Sequence, residues 1–443
     1  MSPNATEPRP RLHVGHAVAV CVGMVIGAGI FRTSPEVAAA LDSEAALLLA
    51  WLLGGVLSVI GGLCFAELAA AYPDQGGDYS FLRRAYGPGL GFLFAWSRFT
   101  VIHSGSVALL AFVFGDYLNQ LLPLGPAGSA AFGASLIVLL VALNLRGVRV
   151  GVGTQLGLML IVMAGLLAVG SAGLVQQMQG VPPVDPVAPA AALGFAAFGQ
   201  AMIFVLLAYG GWSDAATLSA EVADPKRDMP LALGIGLGLV LALYLLVNWA
   251  YLRGLGLGGL AASEAPAADL MRLAFGRTGE VLIVGVVAVT AITVMNAILI
   301  AGARTTFAAA RDLGFAGLGA WDTTRGVPRG ALFGLAGVSL ALVALGLLTR
   351  GGFSTLVDYL SPVYWGFLML SGVAVILLRR RDPGRPRAFR VPLYPLLPLL
   401  FSASCAYLLY SSLVYVREGA LVAVAVLFLG ALLWIPLRKR AQA

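Results

Sequence analysis

Apolar residues run in long stretches along the whole chain, separated by short polar or basic segments. A stretch of about 20 apolar residues spans a bilayer as a helix, and a helix satisfies its own backbone hydrogen bonds in lipid. The pattern predicts about twelve such segments. They cover 14–41, 45–72, 89–121, 127–145, 153–175, 194–221, 231–252, 280–310, 331–348, 353–378, 393–416 and 420–437. Two of them are interrupted. The first contains "CVGMVIGAGIFRTSP" (Cys21 to Pro35), where glycines at 23, 27 and 29 precede Arg32 and Pro35. The sixth is interrupted at "YGGWSD", Tyr209 to Asp214.

Two breaks five segments apart predict an internal repeat, with 14–175 as one copy and 194–378 as the other. An odd number of spans per copy inverts the second copy relative to the first. Residues 393–437 then form two further helices, with tails at 1–13 and 438–443. Unwinding a helix at mid-membrane frees N–H groups at the start of one half and carbonyls at the end of the other. Those groups are costly in lipid and useful around a ligand. Free N–H groups suit a carboxylate and free carbonyls an ammonium, so the break reads as a socket for a zwitterion.

Composition supports a membrane class: 59% of residues are hydrophobic and 11% charged, with a mean hydropathy of +0.91. The net charge of +7 does not imply nucleic acid, because the basic residues sit between apolar runs and line no single face. About 21 of them fall on one side of the predicted spans and about 6 on the other, which places both termini in the cytoplasm. The cluster from Arg379 to Arg390 reads as topogenic, with lipid headgroup contact as the lesser alternative. No cleavable leader pattern opens the chain. Abundant alanine and arginine, with short loops, suggest a bacterial inner membrane. Cys21, Cys64 and Cys405 all lie in apolar stretches and read as packing residues, so no covalent partner subunit is expected. The only histidines are His13, His16 and His103, and neither HExxH nor a GxSxG elbow occurs. An enzyme, a metal site and a cofactor are not expected. "GAGIFR" is no dinucleotide loop, since it lacks the third glycine and follows an apolar helix.

Several ordered motifs resemble those of amino acid–polyamine–organocation transporters, above all the L-type amino acid transporter branch. "VGMVIGAGIF" resembles the first-helix signature, and "CFAELAAAYPDQGGDYSFLRRAYG" (Cys64 to Gly87) and "AYGGWSDAATLSAEVADPKRDMPLA" (Ala208 to Ala232) follow in register. Asn296 with "AGARTTFAAARDLG" is similar to the eighth helix, and "RPRAFRVPLYPLLP" (Arg385 to Pro398) to the tenth-to-eleventh loop. The resemblance implies an all-α leucine-transporter fold, with two inverted five-helix repeats plus two helices, and amino acid transport by alternating access. It implies that the N–H groups of Ala28, Gly29 and Ile30 meet the substrate carboxylate. Carbonyls of Val25 and Ile26, helped by Leu207 and Gly210, would meet the ammonium. Tyr209, Trp212 and Ser213 would shape the pocket and its gate, with His103 and Asn296 approaching from the scaffold side.

The chain departs from the branch at several of these positions. Ala28 stands where a serine is common, Leu207 where an aromatic gate is usual, and Asp214 where an aromatic residue is usual. Val162 occupies the place of a fifth-helix lysine that serves sodium-independent relatives as a surrogate cation. Three coupling modes stay open: a proton carried on His103 or Asp214, sodium held by first-helix carbonyls with Thr290 or Thr293, and plain exchange or facilitated passage. Bland alternatives stand beside these roles. The glycines would serve helix packing, His103 an interhelical hydrogen bond, and Asp214 a helix cap. Glu67, Glu221 and Arg304 read as an inner-gate polar network. The rival functions are a polyamine or cationic amine carrier and a sensor that binds amino acids without moving them.

Overall fold

The computed structural model describes residues 14–72, 77–146, 152–180, 194–213, 225–312, 315, 317–322, 327–349, 352–415 and 417–440. Asp214 and Glu221 lie outside them. The elements in chain order are α1 (Val14–Val25), α2 (Ile30–Ala40), α3 (Glu44–Ala71), α4 (Asp78–Tyr86) and α5 (Pro88–Ser97). A π-helical stretch, Arg98–His103, carries α5 into α6 (Ser104–Leu121). Next come α7 (Gly128–Leu145), α8 (Val152–Gln179), α9 (Phe195–Ala208), α10 (Pro225–Ala261) and α11 (Pro266–Asp312). The last four are α12 (Arg329–Leu348), α13 (Gly352–Arg381), α14 (Leu396–Tyr415) and α15 (Arg417–Arg440). Among the described residues, β pairing is confined to one isolated bridge, between Asp322 and Val327.

Among the described residues, nine helical spans are long and apolar enough to cross a membrane, α1 and α2 form a bent pair at 55°, and α9 and 422–436 are shorter apolar helices. Together these are the twelve segments of the hydropathy pattern. Leu49, Val138, Leu160 and Phe428 stay exposed on the outside of the bundle, as lipid-facing side chains do. The protein is an all-α polytopic membrane protein.

Local chemistry sets the helix ends and bends. The Ser43 hydroxyl accepts the Ala46 N–H at 3.1 Å and caps α3. Pro35 sits inside α2 and has no N–H for the Phe31 carbonyl four residues back. The Tyr117 hydroxyl of α6 donates to that carbonyl at 2.8 Å and accepts the Ala267 N–H at 3.3 Å. One buried phenol thereby ties α2 to α6 and to the start of α11.

A second polar joint lies at the C-terminal end of α13. The Glu67 carboxylate, 2% exposed, receives Arg379 at 2.6 and 2.5 Å and the Val391 N–H at 2.7 Å. Arg387 approaches it at 3.5 Å. Glu67 therefore does not pair with Arg304, which is exposed on α11. For Glu67 the expected gate pairing is corrected to a tie between α3 and the end of α13, while Glu221 lies outside the described residues. Members of the basic cluster also bond within the protein. Arg381 donates to the Ala85 carbonyl at 2.6 Å and Arg385 to that of Ala71 at 3.0 Å. These two guanidiniums thereby cap carbonyls at the ends of α4 and α3.

Candidate functional site

The first apolar segment stops being helical after Val25 and resumes at Ile30. Ile26 N–H still reaches Val22 at 2.8 Å, and the next turn begins with Phe31 N–H on Ala28 at 3.2 Å. Between them, the N–H groups of Ala28, Gly29 and Ile30 make no backbone hydrogen bond among the described residues. They form the positive end of α2.

The sixth segment ends in a comparable way. After Ala208, Tyr209 and Gly210 donate back to Val205 at 3.2 Å and Leu207 at 3.1 Å. Gly211 then turns with φ of 98°, a conformation that favours glycine. A side chain there would strike the Met24 carbonyl. Gly29 packs closely, though less tightly, on the other side, since a Cβ on it would lie 3.3 Å from the Ala208 Cα. The two breaks are therefore in close contact, and at Gly211 only a glycine permits it.

Tyr244 of α10 holds them in that register. Its hydroxyl lies 3.2 Å from the Ala208 carbonyl and 3.4 Å from that of Val25. Its ring packs on Trp51 and Tyr209, with centroids at 5.6 and 5.0 Å. The Val25 carbonyl, expected to be free, thus already has a weak donor.

A cavity of about 580 Å³ lies against the breaks. Its wall includes Val25, Ile26, Ala28 and Gly29 from the first break and Leu207, Gly210 and Ser213 from the sixth segment. His103, Thr290, Thr293 and Val162 complete the part anticipated from sequence. The Thr290 and Thr293 hydroxyls donate to Val286 at 2.7 Å and Val289 at 2.8 Å, so only their lone pairs remain for a ligand.

Four expected residues do not form the wall. Ile30 is fully buried, and only its backbone belongs to the break. Tyr209 is fully buried and points to α3, donating to the Trp51 carbonyl at 3.0 Å. Trp212 packs edge-on against Phe65 and Phe401, with centroids at 5.3 and 5.7 Å. Asn296 accepts from Asn144 of α7 at 2.7 Å and so turns to the scaffold. The pocket-shaping expectation for Tyr209 and Trp212 is corrected accordingly: their rings fill the space between helices behind the break.

The sequence reading assigned no role to Arg98 or Tyr364, and both lie on the wall. Arg98 donates from Nε and Nη2 to His103 Nε2, at 3.2 and 2.9 Å. An arginine inside an apolar span is itself a signal of function. Tyr244, which lies behind the break, had no comparable signal, because a tyrosine in an apolar helix is ordinary.

A family model described as "Amino acid permease" matches residues 12–435. The chain is similar to the serine/threonine exchanger SteT of Bacillus subtilis, 27% identical over 419 residues that cover 90% of each chain. It is 29% identical over 414 residues to the human large neutral amino acids transporter small subunit 2, covering 90% of this chain and 74% of that one. The human b(0,+)-type amino acid transporter 1 is 26% identical over 422 residues, 93% of this chain and 84% of its own.

Proposed function

The chain belongs to the amino acid permease family, and from that premise we propose that the two breaks hold the cargo as a zwitterion while the bundle opens alternately to either side. The protein is a transporter and not an enzyme. The observation that carries the site is the set of N–H groups at Ala28, Gly29 and Ile30, free of backbone partners beside the cavity. A carboxylate satisfies such groups and gains from the helix dipole. The Ile26 carbonyl, with Leu207 and Gly210 nearby on the wall, would receive the ammonium.

Exchange is the coupling mode the geometry favours. A proton on His103 Nε2 would have to displace both Arg98 hydrogen bonds. The similarity to a serine/threonine exchanger supports the same reading. The localisation proposed is the plasma membrane of a bacterium, with both termini in the cytoplasm. A disulfide-linked subunit is not proposed, since all three cysteines are buried.

Uptake of labelled neutral, acidic and cationic amino acids into sealed proteoliposomes tests this. Uptake should require unlabelled amino acid inside and should ignore proton and sodium gradients. Gly29→Trp should abolish uptake while the protein still inserts, because the indole would fill the backbone contact with Ala208. Normal uptake by that variant would remove the breaks from the mechanism.

A further inference from the structure

Arg98 is a guanidinium in the middle of an apolar span, on the wall of the central cavity. Among the described residues it makes no ion pair. Its polar contacts are both to His103 Nε2, and the Phe94 ring lies 5.6 Å from its central carbon. A guanidinium has five N–H donors. Two are directed at one imidazole nitrogen, and no protein acceptor among the described residues takes the other three.

The π-helical stretch makes this arrangement. In an α-helix, residues five apart point about 140° away from each other; a π-turn hydrogen-bonds i to i+5 and brings them to one side. Arg98 and His103 stand at that spacing. The imidazole is buried, 7% exposed, and Gly302 leaves it room, since a Cβ there would lie 2.8 Å from Nδ1. Accepting from Arg98 at Nε2 puts the neutral ring's proton on Nδ1, which has no partner among the described residues. His103 thus fixes the guanidinium without neutralising it. Asp78 of α4 lies on the same wall and makes no ion pair with Arg98.

Apart from Asp78 the wall near Arg98 is mainly apolar, and with no ion pair on its guanidinium the local excess is one of unused N–H donors carrying a positive charge. A planar fork of N–H groups in such a place fits a carboxylate in two parallel hydrogen bonds. The same charge repels a cationic cargo, and a low dielectric strengthens both effects. We infer that Arg98 receives a second carboxylate, on the side chain of the cargo, so that the permease prefers acidic amino acids and rejects cationic ones. The inference rests on the transport reading above for the placement of the cargo's α-carboxylate and ammonium at the breaks.

The isosteric pairs glutamate/glutamine and aspartate/asparagine test it, because each pair differs in charge at nearly constant shape. Each compound competes for uptake into proteoliposomes, and each is added to the purified protein in detergent while its melting temperature is followed. The acids should compete at least about tenfold better than their amides, as expected for a charge-assisted pair. Lysine and putrescine should not compete. Arg98→Gln should erase the acid-over-amide preference, and Arg98→Lys should keep part of it. Amides competing as well as acids in the unmutated protein would overturn the inference while leaving an amino acid permease. An Arg98→Gln variant that weakens acids and amides equally would also overturn it, by assigning Arg98 to the α-carboxylate. If no amino acid moves at all, the transport reading fails, and the melting experiment still decides. Stabilisation by glutamate over glutamine keeps Arg98 as an anion site, and equal or no stabilisation removes it. Should Arg98→Gln fail to fold, the comparison in the unmutated protein and Arg98→Lys decides alone.

Discussion

At the scale of single residues, the breaks depend on groups behind them as much as on the glycines that form them. Tyr244 is fully buried and spans the carbonyls of Val25 and Ala208 with one hydroxyl. Its removal leaves two buried carbonyls short of a donor, each now relying on the other element to hold still. Tyr244→Phe keeps the ring contacts with Trp51 and Tyr209 and deletes only the hydroxyl. The expected cost is about 1–2 kcal/mol of stability, from the unsatisfied acceptors. Uptake should fall by more than that destabilisation explains, because the relative position of the two breaks is what the hydroxyl sets. Initial uptake rates normalised to folded protein measure the effect, beside Tyr209→Phe as a control. That second hydroxyl donates to Trp51 and touches neither break, so its loss should lower stability and leave the rate per folded molecule near normal.

At the scale of elements, the cavity sits among helices that are tied at both ends of α13. Glu67 is enclosed by Arg379, Arg387 and the Val391 N–H. Removing one member of a buried charge group leaves the others uncompensated, which costs more than the pair contributes. Glu67→Gln should therefore lower stability by about 2–3 kcal/mol, read as a lower melting temperature in detergent. Arg304→Gln, on an exposed residue of α11, should leave the melting temperature nearly unchanged. The contrast also marks what the amino-acid order could reveal about the elements. Span number and the first break were legible, because apolar length and clustered glycines act locally. The partner of Glu67 was not, since Arg379 is joined to it by folding alone and Arg304 carries the same charge. His103 was singled out from the sequence, but its pairing with Arg98 was hidden by a different cause. At α-helical spacing they face apart, and no composition signal announces a π-turn. Asn296 was recognised as a polar residue on the right helix, but its partner Asn144 turns it away from the cavity.

At the scale of the whole molecule, the cavity runs along α13 from Phe353 to Ser371. At 1.5 Å per residue that is about 27 Å, close to the hydrocarbon thickness of a bilayer. A polar joint lies at the Phe353 end. Arg32 of α2 bonds Asp116 of α6 at 3.1 Å and Glu36 at 3.3 Å. Glu36 accepts from Ser354 of α13 at 2.8 Å, and Phe353 stacks 5.0 Å from the Arg32 guanidinium. Three elements meet there, and one of them is the second half of the broken helix. A rotation of α2 away from α6 breaks the Arg32–Asp116 pair. Its energy therefore biases the equilibrium between open and closed forms. Asp116→Asn keeps the shape and removes the charge attraction, so the open form should become more populated. The readout is a cysteine placed on the wall one turn away, Val113→Cys, labelled by a membrane-impermeant maleimide in vesicles of defined orientation. Labelling from the Arg32 side should be slow in Val113→Cys alone and about five- to tenfold faster with Asp116→Asn added, a shift of about 1–1.4 kcal/mol. Equal rates in the two backgrounds would mean that another contact closes this end. Faster labelling together with faster exchange would mean that opening here limits turnover.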